Sequence, residues 1–469
     1  MESGSTRGMH GTLGWRGERI YRRDPGTARA PVAPALGFVP IVVRSVASVR
    51  IGMEVAVIGG GIAGLSAAWR LSARHRVTLL ERHAVAGMDA HSLDLEHDGR
   101  TWRIDVPLRV IYEGYYPTLI ALYHRLGVQL ERTNYAGAFS RLGGGVYYRY
   151  ANWLVGGKSV PFPVPPLGGA AFRINRDLLR FYRLAPRALA DLGDDEPLGS
   201  WLARSGLGEE FAEGFLIPTF AAVCTCSNAA VRAYPARVIL DYLTRGLTFG
   251  GVRRVVHGTK EVVARLTEPL AAVRCGVQVR AIRPDVDGVS VEWDGSAHRF
   301  DHVVVATQAN QAAAMLDPSY RREREALERF AYESSEVAVH TDARLAPPDR
   351  RHWAPVNLIQ SPEHDKPMAT IWLNRVQPAL RDASPVFQTW NPVLEPRAET
   401  LRARSRFERP LVNSASLVGA REIAMLQAQQ GRRLWFCGSY LGPGIPLLES
   451  AAETAARVAE AIDHGTRAA

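Results

Sequence analysis

The run Val55-Ala56-Val57-Ile58, followed at once by Gly59-Gly60-Gly61-Ile62-Ala63-Gly64, constrains this chain more than any other feature. Four consecutive apolar residues read as a strand buried on both faces, as in a parallel sheet. Leu65 to Leu71 reads as helix, and Val77-Thr78-Leu79-Leu80 as the next buried strand. Strand, tight turn, helix and strand in that order open a dinucleotide fold. In Gly59-x-Gly61-x-x-Gly64 the first glycine permits the turn, the second lets backbone approach a pyrophosphate, and the third lets the helix lie close on the sheet. The helix N-terminus then faces the phosphate charge. Glu81 lies 17 residues after Gly64, at the end of the second strand. There its carboxylate can accept hydrogen bonds from ribose hydroxyls, which favours an unphosphorylated adenosine ribose. FAD and NAD both meet that requirement.

The rest of the chain is long enough to house such a domain and a second one. Of 469 residues 46% are hydrophobic, which suits two interleaved domains. Beyond the opening unit, a helix is expected from Tyr116 to Leu126, and a Gly- and Pro-punctuated stretch runs on to about Gly169. Two or three helices are expected within 174–214, and a turn at Gly258-Thr259-Lys260 leads into a helix through Leu266. Strand character returns at Val277–Val279, Val289–Val291 and Asp301–Thr307. The last informative block is a short strand, Leu434 to Gly438, then a loop from Ser439 to Pro446 and an alanine-rich helix from Leu447 to about Ile462.

Charge and cysteine content exclude several classes. The net charge is +10, but residues 1–52, with eight Arg and three acids, supply +5 of it. No RNA-binding aromatic motif or zinc-finger spacing accompanies the charge, so no nucleic-acid partner is expected. Residues 1–52 read as a disordered extension, or as sequence upstream of a true start at Met53; their basic character allows contact with an acidic membrane surface. No apolar run of 18 residues is present, so no transmembrane segment is expected. Cys224, Cys226, Cys275 and Cys437 are too few and scattered for a disulfide framework. A cytoplasmic setting, with peripheral contact at the inner membrane allowed, follows as the expectation. No metal site is expected, because His340 and Asp342 lack a third ligand and their alternation fits a strand.

The segment Val55 to Glu81, the strand Asp301 to Thr307 and the block Phe436-Cys437-Gly438 together resemble the FAD-dependent amine oxidase and phytoene desaturase superfamily. The resemblance spans roughly 53–465 and is nearest to a bacterial branch of amine-oxidase-like, NAD/FAD-binding proteins. Features shared with that branch are Tyr116-Pro117 before a helix, Ile217-Pro218 with Ala221-Ala222, His340-Thr341-Asp342, Trp353 with Asn357, and Asn391-Pro392. It implies an α/β fold: a Rossmann-like, glutathione-reductase-like FAD-binding domain (53–110, 250–310 and 430–469) interleaved with an α+β substrate domain (111–249 and 311–429). It implies FAD as cofactor, with Gly59, Gly61 and Gly64 at the pyrophosphate, Glu81 at the ribose and the Val279 backbone at the adenine. Gly438, Ser439 and Tyr440, with the helix opening at Leu447 and Leu448, correspond to a second flavin-binding segment.

Two departures from the family pattern bear on function. The Gly-Gly pair usual after the ribose acid is here Ala86-Gly87-Met88, and the polar C-terminal loop of the near branch is here the apolar Ile445 to Leu448. Of the three lysines, Lys158, Lys260 and Lys366, none stands in the context of the lysine that amine oxidases often place near the flavin. Tyr440, Trp353, Trp372 and Phe220 are candidates to line a substrate pocket, although each equally fits a core aromatic. The stretch Phe215 to Val223 suits a tunnel for a lipid-like chain or a buried helix edge. The catalytic residues are not identifiable from these patterns. The expectation is an FAD-dependent oxidoreductase removing a hydride from an apolar or lipid substrate, fatty-acyl or isoprenoid, with an unspecified electron acceptor. A flavin amine oxidase, a flavin-dependent isomerase and a non-catalytic flavin-binding partner of a lipid-modifying enzyme stand as alternatives.

Overall fold

The computed structural model describes residues 52–156, 158–247 and 251–465. The expectations for 1–52 therefore lie outside the described residues, Gly52 excepted. The opening unit forms as its pattern predicts: strand Glu54–Ile58, helix Ile62–Leu71 and strand Arg76–Glu81. Val55, Ala56 and Val57 are wholly buried, as a central parallel strand requires. The five-stranded sheet runs in the order Ala272–Cys275, Arg76–Glu81, Glu54–Ile58, His302–Val305, Leu434–Phe436, with every pair parallel. A three-stranded antiparallel meander, Ala281–Asp285, Gly288–Trp293 and Ser296–Phe300, packs beside it.

The second layer is an eight-stranded mixed sheet. It is ordered Leu401–Pro410, Tyr332–His340, Phe387–Trp390, His364–Trp372, Val356–Ser361, Gly137–Arg141, Val146–Val155, Lys158–Pro163. Only the pairing of Val356–Ser361 with Gly137–Arg141 is parallel. Helices from Gly169–Asp191 to Ala236–Tyr242 cover one side of this sheet. The architecture is a Rossmann-like parallel-sheet domain joined to an α+β domain, the fold class expected from the sequence.

One local expectation needs correction. Val277–Val279 is not a strand: the edge strand is Ala272–Cys275, and Gly276 (φ +75°) turns the chain out of the sheet. The edge strand exposes Val273 and Arg274, so its apolar signal was weaker than that of the loop after it. The stretch before Gly169 holds the hairpin Val146–Val155 and Lys158–Pro163. Pro161 and Pro163 are tolerated there because Lys158–Pro163 is the sheet edge.

His340 is wholly buried at the end of its strand. Its Nε2 lies 2.7 Å from Thr389 Oγ1, its Nδ1 accepts the Asp342 N–H at 3.1 Å, and its ring stacks on Phe387. Burial pushes the imidazole down to about 4, against the smaller opposing pull of Asp342. The unfolded chain takes up this proton near pH 6.5 and the folded chain near 4. Stability is therefore full above 6.5 and is lost as pH falls through that window, by about 3 kcal/mol at the lower end. Urea unfolding between pH 7 and 4 should show this loss in the wild type and a shallower slope in His340→Asn. An unchanged slope would refute the assignment.

Candidate functional site

The parallel strands all end on one side, and their carboxyl ends carry the glycine turn, where open α/β sheets bind ligands. Gly59 adopts φ +104° and donates to the Leu80 carbonyl at 2.8 Å. A Cβ on Gly64 would stand 1.9 Å from the Gly59 oxygen and 3.1 Å from Ala306 Cβ, so Gly64 is where helix and sheet touch. At Gly61 the opposite holds: a Cβ there would meet nothing within 4 Å. The Ile62–Leu71 helix, with Gly61 as its N-cap, has no side-chain cap and no acid in its first turn. An open approach to an uncapped helix N-terminus fits a phosphate-bearing ligand.

Glu81 is buried at the next strand end. Its Oε2 accepts the Gly60 N–H at 2.6 Å and its Oε1 the His83 N–H at 2.8 Å. Each oxygen keeps a lone pair for a ribose hydroxyl, and the carboxylate braces the glycine turn at the same time. Val277 donates to the Glu81 carbonyl at 2.9 Å, which brings the buried Val279 to this end of the sheet.

The C-terminal segment reaches the same region from the other side. The Leu448–Gly465 helix packs against Ile62–Leu71. The loop before it is fixed at several points. The Gly438 N–H donates to Thr454 Oγ1, the Ile445 N–H to Tyr115 Oη, and Ser450 Oγ donates to the carbonyls of Pro443 and Ile445. The Glu449 carboxylate turns away and accepts the N–H groups of Thr118 and Leu119 at 2.8 and 2.9 Å, capping the Pro117–Arg125 helix. The apolar stretch noted in the sequence divides: Ile445 is wholly buried, whereas Pro446, Leu447 and Leu448 face a cavity.

That cavity, about 340 Å³, lies between the two helix N-termini and the eight-stranded sheet. The nucleotide side contributes Ile62, Ser439, Leu447, Leu448 and Ala451. The sheet contributes Gly137, Phe139, Val356, Leu358, Ala369, Ile371 and Trp390, and the Ile217–Cys224 helix contributes Thr219, Ala222 and Val223. Tyr112, Tyr116, Tyr135, Tyr150 and Tyr242 close one wall. Burial pushes the Tyr150 phenol up to about 12, and Tyr112, Tyr116 and Tyr242 are raised too, so the wall is neutral at ordinary pH. Among the described lining residues there is no Asp or Glu; the charged ones are Arg109 and Arg409.

The other sequence candidates lie behind this surface. Tyr440 is buried against Phe330, 4.9 Å between ring centroids, and Gly438 sits beneath the Tyr440 ring. Trp353 and Trp372 pack edge to face on each other at 5.2 Å, and Phe220 packs behind Tyr242 at 5.7 Å. None of these four aromatics lines the cavity. From the Phe215–Val223 stretch only Thr219, Ala222 and Val223 do; Phe215, Leu216, Ile217 and Ala221 are core. Cys224 and Cys226 are buried free thiols. Lys366 pairs with Glu333 outside the cavity lining, which does not include Lys260 either.

Sequence reasoning missed Arg109 and Arg409. In the Leu401–Pro410 strand, Arg402, Arg404, Arg406 and Glu408 point outward, and Leu401, Ala403, Ser405, Phe407 and Arg409 take the inward phase. An arginine on the phase reserved for apolar residues was the available signal.

Residues 62–367 match the flavin-containing amine oxidoreductase family, and the chain belongs to it. It is an FAD-dependent oxidoreductase. Among solved structures it is similar to a CLA-producing fatty acid isomerase from P. acnes (16% identity, 88% of this chain and 98% of that one, TM-score 0.62). It is likewise similar to cyclohexylamine oxidase from Brevibacterium oxydans IH-35A (14%, 88% and 100%, 0.59) and to a putrescine oxidase (16%, 88% and 99%, 0.59). At these identities the likeness establishes the fold alone. No curated protein sequence matches the chain.

Proposed function

We propose that this enzyme removes a hydride from an apolar substrate, a fatty-acyl or isoprenoid chain, in the cavity beside FAD. The observation that carries the reading is the lining: mainly aliphatic and aromatic side chains, with the hydroxyls of Thr219, Thr225 and Ser439, two guanidinium groups and no carboxylate among the described residues. A protonated amine entering it would lose its hydration and meet cations instead of a counter-charge. A hydrocarbon chain loses nothing polar there and gains apolar burial. The fold shared with a fatty acid isomerase is compatible with this substrate class.

In this reading Gly59, Gly61 and Gly64 cradle the pyrophosphate, Glu81 holds the ribose and Val279 borders the adenine. Ser439, Leu447 and Leu448 border the flavin, with Gly438 and Tyr440 supporting them. FAD, when bound, would supply the acceptor for the hydride, which carries both electrons. The protein's part is to orient a substrate C–H bond and exclude water. Residues 53–110, 250–310 and 430–469 serve the cofactor, and 111–249 and 311–429 the substrate. A panel of amines, unsaturated fatty acids and isoprenoids tests this through peroxide formation or consumption of an added acceptor. Turnover confined to the amines contradicts it; double-bond movement without acceptor use makes the enzyme an isomerase instead.

Delivery of such substrates suits a cytoplasmic enzyme in peripheral contact with a membrane. No helix among the described residues is long and apolar enough to cross one. The outer face of the Gly169–Asp191 helix, however, exposes Phe172 (71%) and Leu179 (65%) among Arg176, Arg183 and Arg187. Apolar side chains between arginines suit an anionic interface. The protein should float with phosphatidylglycerol vesicles, and Phe172→Ser with Leu179→Ser should abolish most of that binding. Flotation unchanged in the double variant would sink the idea.

A further inference from the structure

Among the described residues Arg409 is a cation without an acidic partner. Its Nε is buried with no acceptor, and among the described residues no carboxylate or carbonyl receives a hydrogen bond from its guanidinium. The group lies over the rings of Trp390 and Phe407, 5.4 and 5.7 Å from their centroids, and faces the cavity. Its charged neighbour is another cation, Arg109; Cys224 and Tyr234 are the other groups close to it. Arg109 differs in having its own bonds, to the Pro107 and Met88 carbonyls at 3.1 and 2.8 Å. These hold it in place, with Asp105 and Asp89 near enough to offset part of its charge.

A half-buried guanidinium facing a cavity is stabilised by an anion there, and ring stacking supplies only a small part of that. Burial, followed by repulsion from Arg109, brings Arg409 down to about 10, so it remains a cation at neutral pH. Its strand position has the same implication. The inward phase of Leu401–Pro410 is otherwise Leu401, Ala403, Ser405 and Phe407, so the alternation carries Arg409 into the interior rather than to the surface. A planar fork of donors, facing a cavity walled mainly by apolar and neutral side chains, matches a carboxylate on a hydrocarbon.

We infer that the cavity recognises its substrate by a carboxylate head, which Arg409 binds while Arg109 adds attraction, and that the hydrocarbon tail lies along the apolar walls. The inference rests on the reading of this cavity as the substrate site for apolar molecules, and narrows it to free acids. Alcohols, hydrocarbons and amines of the same length lack the anion that Arg409 requires.

The test uses FAD-loaded protein and three probes with the same chain, oleic acid, oleyl alcohol and oleylamine, with dissociation constants read from the perturbed flavin absorbance. In the wild type, oleate should bind at least about tenfold more tightly than the alcohol, with the amine weakest. In Arg409→Met the preference for oleate over the alcohol should vanish, with alcohol affinity and FAD content unchanged. Arg409→Lys, which keeps the charge without the fork, should restore part of it.

Equal wild-type binding of acid and alcohol overturns the carboxylate assignment and leaves the apolar reading standing. A full preference persisting in Arg409→Met overturns the role of Arg409. Loss of FAD from Arg409→Met, with FAD retained in Arg409→Lys, assigns the charge to the cofactor's phosphates and overturns the inference. If none of the probes perturbs the flavin, the apolar reading itself fails and the inference with it.

Discussion

Gly61→Leu should give a folded protein that purifies with less than about a tenth of the wild-type FAD, whereas Gly64→Ala should damage the fold itself. The two glycines share a motif but not an environment. The space around a Cβ on Gly61 is open to 4 Å, so a side chain there starts without a clash and projects where a pyrophosphate would approach the uncapped helix. Unfolding of apo Gly61→Leu should thus stay within about 0.5 kcal/mol of apo wild type. At Gly64 a single methyl would collide with the Gly59 oxygen at 1.9 Å and crowd Ala306 at 3.1 Å, both part of the rigid turn and sheet. The turn must shift, at a cost of about 3 kcal/mol. Flavin absorbance per protein, measured with denaturant unfolding, separates the two; normal FAD content in Gly61→Leu would contradict the placement of the cofactor.

Ala222→Trp should leave FAD in place and weaken oleate binding about 100-fold. Ala222 faces the cavity from the Ile217–Cys224 helix, on the substrate-domain side. An indole there enters empty space, so it costs little stability, but it takes up a large share of about 340 Å³. The cofactor side of the cavity, at Ile62 and Leu447, belongs to other elements, and flavin content should hold. Unfolding midpoint, flavin absorbance and oleate titration measure the three quantities. Unaltered oleate affinity would place the substrate outside this cavity.

The cofactor half of the protein was legible in the sequence for physical reasons. A central parallel strand must be apolar throughout, a pyrophosphate turn must be glycine, and both demands are local, so Val55 to Glu81 announced itself. The strand His302–Val305 and the C-terminal Leu434–Phe436 followed the same rule, and both joined that sheet. The substrate half was less legible because its determinants are distant in sequence. The cavity is built from strands 137–141, 356–361, 364–372 and 387–390 and a helix at 217–224, and nothing local indicates that these meet. Proline at 161 and 163 let an edge strand read only as a punctuated stretch. Tyr440, Trp353 and Trp372 attracted attention as large aromatics, but the same apolar surface that suits a pocket also suits a core, and they are packed behind the cavity wall. The more informative residue was Arg409, a charge on the wrong phase of an alternating strand.

The central claim is that FAD and an apolar substrate share this cavity. An anaerobic absorbance spectrum of the FAD-loaded protein, recorded as oleate, an isoprenoid acid and a set of amines are added in turn, tests it directly. The flavin band should bleach, or shift with a saturable midpoint, on addition of an apolar acid and remain unchanged with the amines. Bleaching by an amine with no response to either acid would contradict the account.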